Sequence, residues 1–125
     1  MDATLYWYSG CSTCKKAFKR LAMWDVAPTL VELKTDPPSV EVLRDLHARS
    51  GLPLKKFFNT AGQSYRGGGF KERLPTMSED EKFAALAADG MLIKRPILDI
   101  EGAVHVGYKE LTYDGIFIPT PEGHR

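Results

Sequence analysis

The sequence predicts an α/β domain: a small mixed sheet interrupted by a helical insertion. Three observations lead there. Within residues 4–33 a strand, a helix and a second strand follow one another, and a crossover of that kind makes the two strands parallel. Apolar runs on either side of Glu101-Gly102 read as an antiparallel hairpin. Between these parts, over about 36–90, helical periodicity and helix-start signals dominate.

Each element has its own justification. Thr4-Leu5-Tyr6-Trp7-Tyr8 is aromatic and β-favouring, and Ser9-Gly10 ends it at a turn. From Ser12 to about Trp24, Cys14, Ala17, Phe18, Leu21 and Ala22 recur at helical spacing, with Lys15, Lys16, Lys19 and Arg20 elsewhere. Asp25-Val26-Ala27-Pro28 breaks the helix, and Thr29-Leu30-Val31-Glu32-Leu33 is the second strand. Asp36-Pro37-Pro38-Ser39 starts a helix that runs to Ser50, with Leu43 and Leu46 inward and Gly51 as the stop. Phe57 and Phe58 make one short buried turn. Arg66-Gly67-Gly68-Gly69 is expected to be a loop, because three glycines lose too much entropy in a helix. Ser78 with Glu81 forms a capping box, and the helix it starts carries Phe83, Leu86 and Ala87 to Gly90. Strand character resumes over 91–100, and Val104-His105-Val106 returns. Tyr108 to Tyr113 is a short helix, and the stretch holding Pro119, Pro121 and Gly123 is a loose tail.

Length and charge exclude several functions. A chain of 125 residues is expected to form one domain over 1–125, with sheet parts at about 1–35 and 91–118. Lys plus Arg number 17 and Asp plus Glu 16, a net charge of +1. That balance argues against a broadly basic nucleic-acid-binding or polybasic membrane-surface protein. No apolar run nears the roughly 20 residues that span a bilayer, and the start lacks a signal-peptide layout. A cytoplasmic monomer is expected. Two cysteines in one tight motif, in a reducing compartment, argue for chemistry rather than cross-linking.

Gly10-Cys11-Ser12-Thr13-Cys14 carries that chemistry. Cys11 falls where a strand gives way to a helix, and free N–H groups and the helix dipole there favour an anion. The position lowers a thiol pKa and makes a thiolate near neutral pH. Cys14 lies one turn on, where it can attack a mixed disulfide formed at Cys11. This spacing beside a βαβ pattern is a thioredoxin-like redox signature. Lys15 and Lys16 in the first turn oppose the dipole, which suits a nearby anion; a solvated face is the other reading of Lys16. A structural zinc site needs four ligands, and no second CxxC or His pair exists; His47, His105 and His124 are scattered. Two small core residues would be the plainest reading of the cysteines, and it suits Cys14 better than Cys11. Arg95 precedes Pro96, is held extended, and faces a bond that can be cis. Its planar fork fits an oxyanion or carboxylate. Arg66, on its own, reads as a surface residue.

Five segments in order resemble a known family: Gly10-Cys11-Ser12-Thr13-Cys14-Lys15-Lys16-Ala17, Phe58 to Arg66, Leu74 to Ser78, Lys94 to Leu98, and Val106 to Glu110. Over about residues 4–112 the chain is similar to the arsenate reductase/Spx/YffB family of glutaredoxin-like proteins. The resemblance implies a thioredoxin-like sheet with an inserted helical subdomain. It implies Cys11 as the redox cysteine, with Arg66 and Arg95 as two of three arginines that hold arsenate. The third arginine's place falls near Gly107, so arsenate reduction is expected to be weak. The resemblance further implies no metal or organic cofactor, and an external thiol reductant, either glutathione/glutaredoxin or thioredoxin. The second cysteine points toward Spx-like members, where the pair forms a redox-switch disulfide. Two functions follow as expectations. One is a thiol-dependent redox enzyme with Cys11 as nucleophile, Cys14 as resolving thiol, Arg66 and Arg95 as anion-holding groups, and Lys15 lowering the Cys11 pKa. The other is a redox-switch regulator that binds the RNA polymerase α subunit. Gly67-Gly68-Gly69 stands where relatives commonly continue helical, which predicts a more mobile cover over the site.

Overall fold

The computed structural model describes residues 1–118. Four strands form one sheet in the order β2-β1-β3-β4: β1 is Ala3–Trp7, β2 Thr29–Glu32, β3 Ile97–Ile100 and β4 Ala103–Val106. β1 and β2 are parallel, with Leu5 opposite Leu30. Their connection is α1, Ser12–Met23. β3 is antiparallel to both β1 and β4, with Leu5 opposite Leu98 and Leu98 opposite His105. The mixed sheet expected from the βαβ unit and the hairpin is therefore present. Glu101 and Gly102 both take positive φ at the hairpin turn (47° and 83°), which matches the twist of two antiparallel strands.

Strand alternation divides the core between the two faces of the sheet. Leu5, Leu98 and Ile100 point to one face, where they meet Ala17 and Leu21 of α1 and Tyr113 of α6, Glu110–Phe117. Ile97 and Val104 point to the other face, into a larger cluster that holds Leu43, Leu46, Phe57, Phe58, Phe83 and Leu86. That second face is covered by the segment between β2 and β3. It contains α2 (Val40–Ser50), α3 (Gln63–Gly67), α4 (Phe70–Arg73) and α5 (Glu79–Ala88), joined by 3₁₀ turns. Gly51 ends α2 in the left-handed region, and both halves of the Ser78–Glu81 capping box are made.

Several boundaries differ from expectation. The first helix buries Cys14, Ala17 and Leu21, but Ala22 is exposed because α1 has only one covered stripe. Arg66 and Gly67 close α3 instead of lying in a loop. Gly68 stays in the right-handed region and Gly69 alone goes left-handed, at φ 67°, so the chain breaks and re-enters helix as α4 within one residue. Met91 to Ile93 do not extend β3. Gly90–Leu92 is a 3₁₀ turn, and Ile93 bridges to Phe58. Lys94 N–H donates to Phe57 O at 2.7 Å and Asn59 N–H to Leu92 O at 2.8 Å. Leu92 and Ile93 are buried, and the insertion supplies their partner through a single bridge at Phe58. The last helix begins at Glu110, two residues later than expected, and continues to Phe117. The expected loose tail lies outside the described residues.

Candidate active site

The site grows from the junction of β1 and α1. Beyond Trp7 the chain turns, and Cys11 N–H donates to Tyr8 O at 2.9 Å. The Ser9 hydroxyl and N–H both donate to the Glu32 carboxylate at the end of β2. That contact pins the loop to the neighbouring strand. Gly10 sits close under Tyr8: a Cβ at Gly10 would lie 2.8 Å from the Tyr8 ring, whose far end would have to shift. Cys11 is the N-cap of α1, in extended conformation, and its Sγ accepts from Cys14 N–H at 3.4 Å. A thiolate in that position satisfies an otherwise orphaned helix donor.

The two thiols are driven apart. Partial burial works against ionising Cys11, but the Cys14 thiol and N–H and the Arg95 guanidinium outweigh it, so its pKa is lowered. Cys14 has no exposed surface. Burial pushes its thiol up to about 12, a hydrogen bond with the Tyr8 backbone offsets part of that, and Cys11 adds to the rise. One thiol is thus prepared to ionise and its neighbour to keep its proton, which separates an attacking from a resolving role.

Arg95 reaches this pair from the segment before β3, which the antiparallel register sets beside the end of β1. The Arg95–Pro96 peptide bond is cis, as the X-Pro reading allowed. The Arg95 guanidinium lies over the Tyr8 ring, 5.3 Å from its centroid, and donates to Met91 O at 3.3 Å. Lys34 approaches the same ring at 5.8 Å. Arg95 Nε is buried without a hydrogen-bond partner.

The other expected site residues stand differently. Arg66 is exposed at the end of α3 and is absent from the groups that shift either thiol. Lys15 is exposed, and its backbone N–H donates to Cys11 O at 3.1 Å. Gly107 has φ 83° and its N–H donates to Pro96 O at 2.8 Å. An arginine there would be strained by the left-handed backbone. Sequence reasoning missed Tyr8 and the Ser9–Glu32 contact. A tyrosine two residues before the glycine of the motif was the available signal for the first. Nothing in sequence spacing links Ser9 to Glu32. Among the described residues no group of three or more His, Cys, Asp and Glu could hold a metal ion. No helix among them is long and apolar enough to cross a membrane.

The ArsC family model matches residues 6–116. The chain belongs to the ArsC family. This ArsC chain is 49% identical over 110 residues to the protein YusI of Bacillus subtilis, covering 88% of this chain and 93% of YusI. Among solved structures, the ArsC family related protein of Bacteroides fragilis is 40% identical, with a TM-score of 0.87 over 93% of this chain and 98% of that one. Arsenate reductase from Vibrio cholerae is 26% identical, with a TM-score of 0.84 over 93% and 98%. The global transcriptional regulator Spx of Lactiplantibacillus plantarum is 26% identical over 106 residues, 85% of this chain and 79% of Spx. Arsenate reductase-like and Spx-like proteins are thus both relatives of this ArsC protein. Its mixed sheet with helices on both faces is the thioredoxin-like arrangement of that family.

Proposed function

We propose that this ArsC-family chain is a thiol–disulfide oxidoreductase in which Cys11 is the nucleophile and Cys14 the resolving thiol. The observation that carries the reading is Cys11 at the N-cap of α1, its Sγ accepting from Cys14 N–H at 3.4 Å, with the Cys14 thiol buried one turn on. The Cys11 thiolate attacks a substrate sulfur, forms a mixed disulfide, and releases a thiolate. Arg95, stacked on Tyr8, holds negative charge beside it. Cys14 then attacks Cys11 Sγ and frees the second product. Glutathione with a glutaredoxin, or thioredoxin, returns the protein to the dithiol. Arg66 belongs to this reading as a cation that meets the substrate's outer part, since it is exposed and unpaired among the described residues. Disulfides suit the site better than arsenate, because Gly107 stands where the resemblance places a third arginine.

The test is a Cys14→Ser variant incubated with a disulfide substrate. A stable mixed disulfide at Cys11, located by peptide mass mapping, is the expected outcome. Capture at no cysteine, with the protein folded, would remove the proposal. Turnover separates the enzyme from a redox switch of the Spx kind. An enzyme consumes reductant in proportion to substrate, whereas a switch that acts on the RNA polymerase α subunit is oxidised once per molecule.

A further inference from the structure

The edge strand β4 borders a cleft of about 560 Å³ to which neither cysteine contributes. Its cations come from three separate places: Lys56 from the turn after α2, Lys94 from the segment before β3, and Lys109 from the start of α6. All three are exposed, and none forms an ion pair among the described residues. No Asp or Glu lines the cleft. The ion pairs among the described residues are made by Arg20, Arg44 and Arg49, none of which lines the cleft. Uncompensated cations around a concave surface focus a positive potential into it. The volume lies in the range of small-molecule sites.

Two further features mark the cleft as a place for a ligand. Gly107 leaves it open: a Cβ there would find only Lys94 Cε, at 3.7 Å. Tyr113, fully buried, is among the lining residues, and its hydroxyl has no hydrogen-bond partner. The cleft is linked to the redox site through the segment before β3. Lys94 precedes Arg95, whose guanidinium sits on the Tyr8 ring beside the cysteine loop, and Gly107 N–H is bonded to Pro96 O.

We propose that this cleft binds the carboxylate arm of a small anionic disulfide whose sulfur pair is presented to Cys11. The inference rests on the thiol–disulfide reading above and names its substrate class. The reaction balances as a two-electron exchange. Cys11 thiolate attacks one sulfur of the substrate, the substrate S–S bond breaks, a bond from Cys11 to that sulfur forms, and one thiolate leaves. Cys14 releases its proton to solvent and attacks Cys11 Sγ, the Cys11–Cys14 bond forms, and the second thiolate leaves. The protein dithiol is oxidised, and the disulfide is reduced to two thiols.

The experiment compares two probes of similar length and opposite charge, dithiodipropionate and cystamine, in single-turnover oxidation of the reduced full chain. The unmodified protein is expected to favour dithiodipropionate, and added salt to diminish the preference. In the combined Lys56→Gln, Lys94→Gln, Lys109→Gln variant the ratio of the two rates is expected to fall about tenfold. An unchanged ratio in that variant overturns the proposal. A second arm works without redox chemistry. Dithiodipropionate is titrated into a Cys11→Ser, Cys14→Ser variant while backbone amide shifts are followed. Shifts at Gly107 and Lys109 that disappear in the lysine variant support the cleft, and their absence overturns it. If neither probe oxidises the unmodified protein, the thiol–disulfide reading falls, and the titration alone decides the cleft.

Discussion

The reactivity of Cys11 depends first on the Cys14 thiol and N–H and then on Arg95. Arg95 is the cation among the groups that lower Cys11, and it acts together with the Cys14 thiol and N–H against the cost of burial. Replacing Arg95 by Gln removes the positive charge and keeps a hydrogen-bonding group. Alkylation of Cys11 at about pH 6.5 should then slow by about tenfold, since an adjacent opposite charge commonly moves a pKa by a unit or more. Mass mapping at limiting reagent reads the effect at each cysteine separately. An unchanged rate would assign the lowered pKa to the Cys14 thiol and N–H. Tyr8 acts through Arg95 and not on the substrate. Tyr8→Ala should therefore shift the pH profile of alkylation in the same direction, whereas Tyr8→Phe keeps the ring face that the guanidinium covers and should retain the profile. Cys14 is expected to remain unlabelled at that pH in every case, because it is buried and its thiol is held at about 12.

At the level of elements, Asp114 fastens α6 to α1, beside a second ion pair from Arg20 to Glu110. Asp114 accepts from Arg20 Nε at 2.7 Å and from Trp24 Nε1 at 2.9 Å. Trp24 also stacks on Phe117, with ring centroids 5.4 Å apart. The hydrogen bond from Arg20, with a smaller one from Trp24, holds the Asp114 pKa at about 2. A depressed carboxylate stabilises the folded state above its unfolded pKa of about 3.9, and the contribution is lost as pH falls through about 2. Asp114→Asn should lower the melting temperature at neutral pH. It should also flatten the acid limb of stability between those two pH values. The indole signal of Trp24 should change in the same variant as the stack loosens. If melting and acid profiles match those of the unmodified chain, α6 is held by the Arg20–Glu110 pair and its apolar face. That face includes Tyr113, which is fully buried among Leu5, Ala17 and Leu98.

Across the whole molecule, the helical insertion is joined to the sheet at a place with no spare room. Gly90 follows α5, and a Cβ on it would lie 1.6 Å from Leu33 O, just beyond β2. Backbone cannot yield as a flexible side chain can. Gly90→Ala should therefore destabilise the chain by about 3 kcal/mol, at the upper end of overpacking costs, as read by urea denaturation. The damage should centre on the face that the insertion covers, because the same insertion supplies the contacts from Phe57–Asn59 to Leu92–Lys94 within that cluster. Arg49 ties a second corner, donating from α2 to Asp99 of β3 at 2.8 Å and to Gly102 O in the hairpin turn at 3.1 Å. A variant that melts like the unmodified chain would mean that the Gly90–Leu33 approach relaxes without cost.

Local signals determined most of the elements. The βαβ crossover, the Ser78–Glu81 cap, the Gly51 stop and the Glu101-Gly102 turn each depend on residues a few positions apart. Spacing of that kind is visible in a linear chain. The placement of Cys11 at a helix start, with Cys14 one turn later, was legible for the same reason. Tertiary structure decided the rest. Whether Met91 to Ile93 continue a strand depended on Phe58, more than thirty residues away in the chain. Whether Arg66 and Gly67 join a helix depended on the packing of Tyr65 against Phe58 and Phe70, which outweighed the weak helix propensity of glycine. In the site, sequence could nominate Arg95 but could not give it Tyr8 as a platform or Cys11 as a neighbour. The three lysines of the β4 cleft sit at positions 56, 94 and 109, with no pattern to unite them. Charge acts through space and falls off with distance, so only the folded chain brings such residues close enough to share one electrostatic field.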